Sequence, residues 1–227
     1  MLRSALLEAP HGFSMIADGD LRPGAAGAVS AGQRLVDGLG GAGPLCLVHQ
    51  VHGPRVVHGD VAQTAALTGT VEAADALWSD RAGQVLSIRV ADCVPILLEG
   101  DREGAGRVVA AVHAGWRGTA LDIVRETVGV IRQVYPSGVR RAAVGPAICG
   151  RCYEVGAEVL TGVSRVAPGR AWRSGNQVDL ALANTLILES LGIEVDWLRR
   201  CTRCDPGFWS YRRDGEAGGR QAALIRA

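Results

Sequence analysis

Three segments of this 227-residue chain each place a soft or borderline metal donor at the end of an apolar run: QVHG with His52, ADCVP with Cys93 and HAGWRG with His113. Two imidazoles and one thiolate make a three-ligand set, which leaves a fourth position open, as catalytic zinc requires and structural zinc does not. Small or turn-forming neighbours, Gly53, Pro95, and Ala114 with Gly115, let the backbone approach a ligand closely. Singly, each residue reads as a buried thiol or a hydrogen-bonded histidine; their shared context points to one site. The separations match no local zinc-finger spacing. The same donors form the core of a blue-copper site, which normally adds an axial Met, and the methionines here are Met1 and Met15. Five histidines are too few for one blue copper plus a trinuclear cluster, so zinc is expected ahead of copper.

Other residues could serve such a site. Asp92, beside Cys93, and Asp75 of ADALW are candidate proton carriers, although an Asp at a strand end is commonly a turn or supporting group. Arg117 of HAGWRG stands before a helix start, where anions bind well. Arg212 and Arg213 of SYRRD offer guanidinium contacts to an oxyanion, and Trp116 and Tyr211 offer aromatic faces; a solvated arginine pair and core packing are the plain alternatives. Without a metal, Cys93 beside His113 reads as a nucleophile and its base.

Two CxxC pairs, CGRC at 149–152 and CTRC at 201–204, compete as a closed four-thiolate zinc site. The 48 residues between them exceed the compact zinc-ribbon spacing, so turn or packing roles are expected first. Neither pair has the βαβ placement of a thioredoxin-like redox motif.

These groups need a scaffold, and the sequence supplies strand-length apolar runs: PLCLVHQV, GQVLSIRV, CVPILLEG, GRVVAAVH, VRRAAVGP, IEVDWLRR and RQAALIRA. Helical periodicity appears in TALDIVRETVGVIRQVY, with Leu121, Val124, Val128, Ile131 and Tyr135 on one face and Thr119 with Asp122 as a capping pair. YEVGAEVLTGVSRVA and VDLALANTLILESLG read as two further helices, and SAGQRLVDGL as one inside the poorly patterned stretch 22–43. Val85 to His113 reads as three consecutive strands with a Gly-rich hairpin at EGDREGAGR. The expected fold is α/β of the α+β type, a single domain over residues 1–227 with layered mixed β-sheets flanked by helices.

A formal charge of +1, from 24 basic and 23 acidic residues, favours a small-molecule partner over nucleic acid or an anionic membrane. Glu8 and Pro10 interrupt the first apolar stretch before a secretory segment forms, and no run reaches membrane-spanning length. A soluble, cytoplasmic protein with reduced cysteines is expected.

QVHG, ADALWS, ADCVPILL, HAGWRGT, GPAICGRCYEV, VDLALAN and FWSYRRDG follow one another in an order that resembles the YfiH-type family, labelled polyphenol oxidase (laccase domain) or purine nucleoside phosphorylase. The resemblance runs from HGFS at His11 to GRQAALI near the C-terminus, and ADCVP with HAGWRG is its most specific pair. It implies metal ligands at His52, Cys93 and His113. It further implies phosphorolysis of adenosine, inosine and methylthioadenosine to base and pentose 1-phosphate, with adenosine deamination as a side activity. Copper polyphenol oxidation, or Cys-His hydrolysis in the editing of peptidoglycan precursors, is the alternative that the resemblance carries. HGFSMIADGD lacks the Arg of the family's HGFSTR loop, and FWSYRRD stands where FFSYRRD is commoner.

Overall fold

A computed structural model describes residues 1–40, 45–60, 72–102 and 106–227. Among them the strands are β1 His11–Phe13, β2 Leu45–Cys46, β3 Val56–His58, β4 Ala76–Ser79, β5 Val85–Val90, β6 Val94–Asp101, β7 Arg107–Ala114, β8 Arg141–Val144, β9 Arg173–Ser174, β10 Gln177–Val178, β11 Glu194–Trp197 and β12 Gln221–Arg226. The helices are α1 Ala28–Gly38, α2 Trp116–Ala120, α3 Ile123–Val134, α4 Ala157–Ser164, α5 Leu180–Ser190 and α6 Tyr211–Asp214. A six-stranded sheet has the order β11-β8-β6-β7-β4-β3 and a four-stranded sheet the order β1-β12-β5-β2. Both are mixed: β8 with β11, β3 with β4 and β2 with β5 are parallel, while the β6–β7 and β5–β12 pairs are antiparallel.

Side-chain alternation along the strands decides the layering. On β6 and β7, Ile96, Leu98, Val108, Ala110 and Val112 face the helices, while Leu97, Val109 and Ala111 face the other sheet. On β5 and β12, Leu86, Ile88, Ala223 and Ile225 meet them across that gap, and Val85, Ala222 and Leu224 turn the opposite way onto α1. The result is α1, four-stranded sheet, six-stranded sheet, then α3 and α5. Central strands buried on both faces read as continuous apolar runs, which is why ILL and VVAAV carry no polar alternation. Leu97 and Ile96 are wholly buried, and truncating either to Ala would cost about 2–5 kcal/mol.

Several expectations change. The chain does run β5, β6, β7 in succession, but β5 joins the four-stranded sheet, so Ala91–Cys93 form a link between sheets. β6 and β7 are the expected antiparallel pair; residues 103–105 of its turn lie outside the described residues. PLCLVHQV yields strand only at Leu45–Cys46, and Pro44 and residues 41–43 also lie outside. The long helix at 119–135 is two: Asp122 has φ 60°, a left-handed conformation that Asp tolerates, and it separates α2 from α3. Thr119 therefore lies inside α2 and not at a cap, and Leu121, expected on the buried stripe, is 54% exposed. The helix expected from Tyr153 begins only after Gly156, because Glu154 pairs with Gln177 in extended form. No helix among the described residues is long and apolar enough to cross a membrane.

Candidate active site

Asp75, immediately before β4, is wholly buried and organises the site. Its carboxylate accepts the backbone N–H groups of Val51 at 3.1 Å, His52 at 2.9 Å and Gly53 at 2.7 Å. It also accepts Nδ1–H of His113 at 2.7 Å. An ionised carboxylate only accepts, so this bond fixes the His113 tautomer and frees Nε2 for the site. Burial alone would raise the Asp75 carboxyl, but the hydrogen bonds from His113 and Gly53 outweigh it and hold it below the usual value.

His113 follows Val109 and Ala111 on the inter-sheet face of β7 and is almost fully buried. His52 is exposed, on a loop where it takes φ 60°. Cys93 closes the link between sheets, right after Asp92 at φ 86°. A non-glycine residue held in that region costs about 1–3 kcal/mol, which the surrounding hydrogen bonds must offset. For Asp92 those bonds come from the Thr202 hydroxyl at 2.6 Å, the Ser210 hydroxyl at 3.1 Å and the Arg212 backbone N–H at 2.7 Å.

The link and the loop bring the three donors together. Cys93 Sγ lies 4.0 Å from His52 Nε2, the two imidazole rings stand edge to face at 4.8 Å, and one donor atom from each of the three residues lies within 4.8 Å of the others. Gly115 closes the back of the cluster: a Cβ there would stand 2.9 Å from His52 Cδ2 and 3.1 Å from Cys93 Sγ. Burial would raise the Cys93 thiol, yet the His113 charge and the hydrogen bonds of both histidines bring it down to about 6. Burial would lower His113, but Cys93 and Asp75 raise it to about 9. One thiolate and two imidazoles, with one imidazole oriented by a carboxylate, are the donor set and support that a zinc-like ion requires; the residues fit such a group.

The cluster opens into a cavity of about 600 Å³ that Arg89, Arg117, Arg212 and Arg220 share with Trp116, Tyr153, Tyr211 and Asp92. Arg89 Nη1 is buried with no hydrogen-bond partner among the described residues, and burial followed by the Arg220 charge lowers its pKa. Tyr153 carries the Arg212 guanidinium 5.2 Å above its ring, and its hydroxyl is pushed up to about 12 by burial and then by Cys93.

Of the sequence-derived candidates, His52, Cys93, His113, Asp92, Arg117, Arg212 and Tyr211 all line this cavity. Arg213 does not: its guanidinium donates to the carbonyls of Thr202, Arg203 and Phe208 and to the Asp214 carboxylate. It fastens a loop, since two of its five N–H groups are taken by the Asp214 carboxylate and three by carbonyls, which leaves no contact for an anion. Asp75, expected as a proton carrier, has both oxygens committed to four bonds and braces the site, while Asp92, also expected as one, accepts three and still lines the cavity. Arg89, Arg220 and Tyr153 were missed. Arg89 alone left a signal, as a charge inside an apolar strand two residues before ADC. Against expectation, Cys149, Cys152, Cys201 and Cys204 form a second group of converging ligand atoms.

This layered fold is shared with known proteins. The chain belongs to the family described as multi-copper polyphenol oxidoreductase laccase, whose model matches residues 25–227. It is 36% identical over 250 residues to a purine nucleoside phosphorylase of Deinococcus radiodurans, covering 99% of this chain and 92% of that one. It is 35% identical over 175 residues to adenosine deaminase RL5 of an unknown prokaryotic organism, covering 70% of this chain and 62% of the other. The crystal structure of YlmD from Geobacillus stearothermophilus superposes with a TM-score of 0.76 at 31% identity, over 96% of this chain and 89% of that one.

Proposed function

We propose that the protein is a purine nucleoside phosphorylase that holds zinc at His52, Cys93 and His113 and cleaves adenosine, inosine or methylthioadenosine with inorganic phosphate. The observation that carries this reading is the joining of the donor cluster to a cationic cavity, in which half-buried Arg89 has a buried Nη1 without a partner among the described residues and faces the like charge of Arg220. An oxyanion relieves both: it accepts from Nη1 and neutralises the pair. Phosphate at Arg89, Arg220 and Arg117 would be aimed at the anomeric carbon of a nucleoside whose base lies against Trp116, Tyr153 or Tyr211. A phosphate oxygen bonds to that carbon, the glycosidic C–N bond breaks with its electron pair going to the purine nitrogen, and the purine leaves with the proton that hydrogen phosphate gives up. When bound, zinc supplies a Lewis acid with an open position. Tyr153 stays protonated throughout the neutral range and serves as a donor beside the thiolate.

The wider label of copper oxidation finds less support in His11 and His58, while His49 alone of the other three histidines lines the cavity. His11 is buried between the Ser4 N–H and the Ala9 carbonyl, and His58 pairs with Asp60 and Asp80. A second reading does have an observation in its favour: Cys93, His113 and Asp75 stand in the order nucleophile, base and orienting carboxylate, as in a metal-free hydrolase.

The test is incubation with inosine and with adenosine, with and without phosphate, for the wild type, Cys93→Ala and chelator-treated protein. Base and pentose 1-phosphate formed only with phosphate, and lost in Cys93→Ala and on chelation, support the phosphorylase. Unchanged base release in Cys93→Ala sinks it. Hydrolysis that survives chelation but not Cys93→Ala selects the second reading, and ammonia release from adenosine without phosphate selects deamination as the main reaction.

A further inference from the structure

CGRC and CTRC stand 48 residues apart, but their strands are neighbours. β8 and β11 run parallel, with Val144 opposite Trp197, so both chains leave the sheet at the same end. Beyond the strands Ala147 still pairs with Cys201 in parallel, which sets Cys149 and Cys201 side by side. The Cys149 N–H donates to Cys201 Sγ at 3.3 Å, the kind of backbone-to-sulfur bond that steadies a thiolate. Gly150–Cys152 then closes one tight turn, with the Cys152 N–H on the Cys149 carbonyl at 2.9 Å. The second arm turns as sharply, with the Asp205 N–H on the Cys201 carbonyl at 3.0 Å.

These turns fold the second cysteine of each pair back toward the first. Cys152 Sγ lies 3.3 Å from Cys204 Sγ, and all four sulfurs lie within 4.8 Å of one another. A tetrahedral ion with metal–sulfur bonds of about 2.3 Å holds its sulfurs about 3.8 Å apart, inside that range. Disulfides would require only two close pairs, each at about 2 Å, and would not draw four sulfurs into one mutual group. The surroundings suit the charge as well, because four thiolates and a divalent ion sum to about −2. Arg151 and Arg203 occupy the middle of the two CxxC turns and bring two positive charges to this part of the chain.

We propose that Cys149, Cys152, Cys201 and Cys204 form a second metal site, separate from His52, Cys93 and His113, that binds one zinc ion through four thiolates. With four protein ligands it is closed and has no position for substrate. Its effect reaches the cavity through the two arms it joins. The N–H of Ile148, next to Cys149, donates to the Asp92 carbonyl at 3.0 Å, and the hydroxyl of Thr202, next to Cys201, donates to the Asp92 carboxylate at 2.6 Å. The ion thus fixes the left-handed residue that presents Cys93. This assignment does not depend on which reaction the cavity performs.

The test counts metal per chain in full-length protein reduced with a phosphine, supplied with zinc and then dialysed. Two zinc ions are expected in the wild type, one in Cys93→Ala and one in Cys152→Ser/Cys204→Ser. X-ray absorption at the zinc edge of Cys93→Ala, where only the proposed site is filled, should give four sulfurs at about 2.3 Å. If the double serine variant does not fold, the count and the absorption spectrum of Cys93→Ala decide alone. One zinc in the wild type with none in Cys93→Ala, a mixed nitrogen and sulfur shell, iron in place of zinc, or a Cys152–Cys204 disulfide found by peptide mapping of the reduced protein would overturn the proposal.

Discussion

Asp75 and His113 are joined by a 2.7 Å hydrogen bond between a wholly buried carboxylate and Nδ1 of an almost fully buried imidazole. The same carboxylate carries the N–H groups of residues 51–53, so two of the three donors in the cluster are placed by one side chain. β4 pairs with β7, with Ala76 opposite Val112, which is what sets Asp75 beside His113.

Asp75→Asn should therefore disturb both histidines at once. An amide keeps one accepting oxygen but turns an NH₂ toward backbone donors, leaving buried N–H groups without acceptors. Zinc affinity at His52, Cys93 and His113 should fall about 10–100-fold, as for other carboxylates that support a ligating His, and the melting temperature should drop. Zinc titration with a competing chelator, paired with thermal melts, reads both. An unaltered affinity would show that the tautomer of His113 does not need the carboxylate.

Gly115→Ala tests the close approach. The added methyl would meet His52 Cδ2 and Cys93 Sγ at 2.9 and 3.1 Å, and His52 on its exposed loop is the partner that can give way. The backbone there has φ −70°, so no conformational strain confuses the result. Stability should fall by about 1–3 kcal/mol, as overpacking does, while kcat/KM falls by a larger factor through the displaced ligand. Circular dichroism with steady-state kinetics separates the two, and full activity in a folded variant would sink the argument.

In metal-free protein the Cys93 and His113 shifts make a pH prediction. The thiol is lowered to about 6 and the imidazole raised to about 9, so thiolate faces imidazolium between those values and the apparent constants belong to the pair. Below about 6 the thiolate protonates, and above about 9 the imidazolium loses its proton. Alkylation of Cys93 should rise through about pH 6 and change little up to about 8, whereas an ordinary thiol rises near 8.5. Zinc should suppress the reaction across the range. Iodoacetamide rates followed by mass spectrometry would reveal a midpoint near 8.5 if His113 does not carry the charge.

How much of this the amino-acid pattern disclosed follows from which contacts are local. GQVLSIRV, CVPILLEG and GRVVAAVH declare strands because burial on both faces removes polar alternation, and QVHG, ADCVP and HAGWRG announce candidate donors beside turns. What β5 pairs with is not local, so nothing in the run from Val85 to His113 tells that Asp92 crosses between sheets. The braces were equally hidden: Asp75 looks like any strand-end acid until β4 lies beside β7. The cysteine pairs fail for the same reason, since their distance along the chain is erased by the parallel neighbours β8 and β11. Arg213 looked like a twin of Arg212, and only the direction of α6 sends one guanidinium to loop carbonyls and the other over Tyr153.

That divergence gives a paired prediction. Arg220 lines the cavity, anchors on the carbonyls of Gly218 and Gly219, and lies close enough to Arg89 to lower its pKa. Arg220→Ala should raise the KM for phosphate about 10-fold or more, the loss of one charge-assisted contact worth about 1.5–3 kcal/mol, with the nucleoside KM changed much less. Arg213→Ala should do the reverse. Its lost bonds to the carbonyls of Thr202, Arg203 and Phe208 loosen the loop, lowering the melting temperature by about 2–8 °C with phosphate KM unchanged at a temperature where the variant is folded. Initial rates against phosphate at fixed inosine, with melts of both variants, decide the matter; a phosphate KM that moves with Arg213 and not with Arg220 would place the anion on the other side of α6.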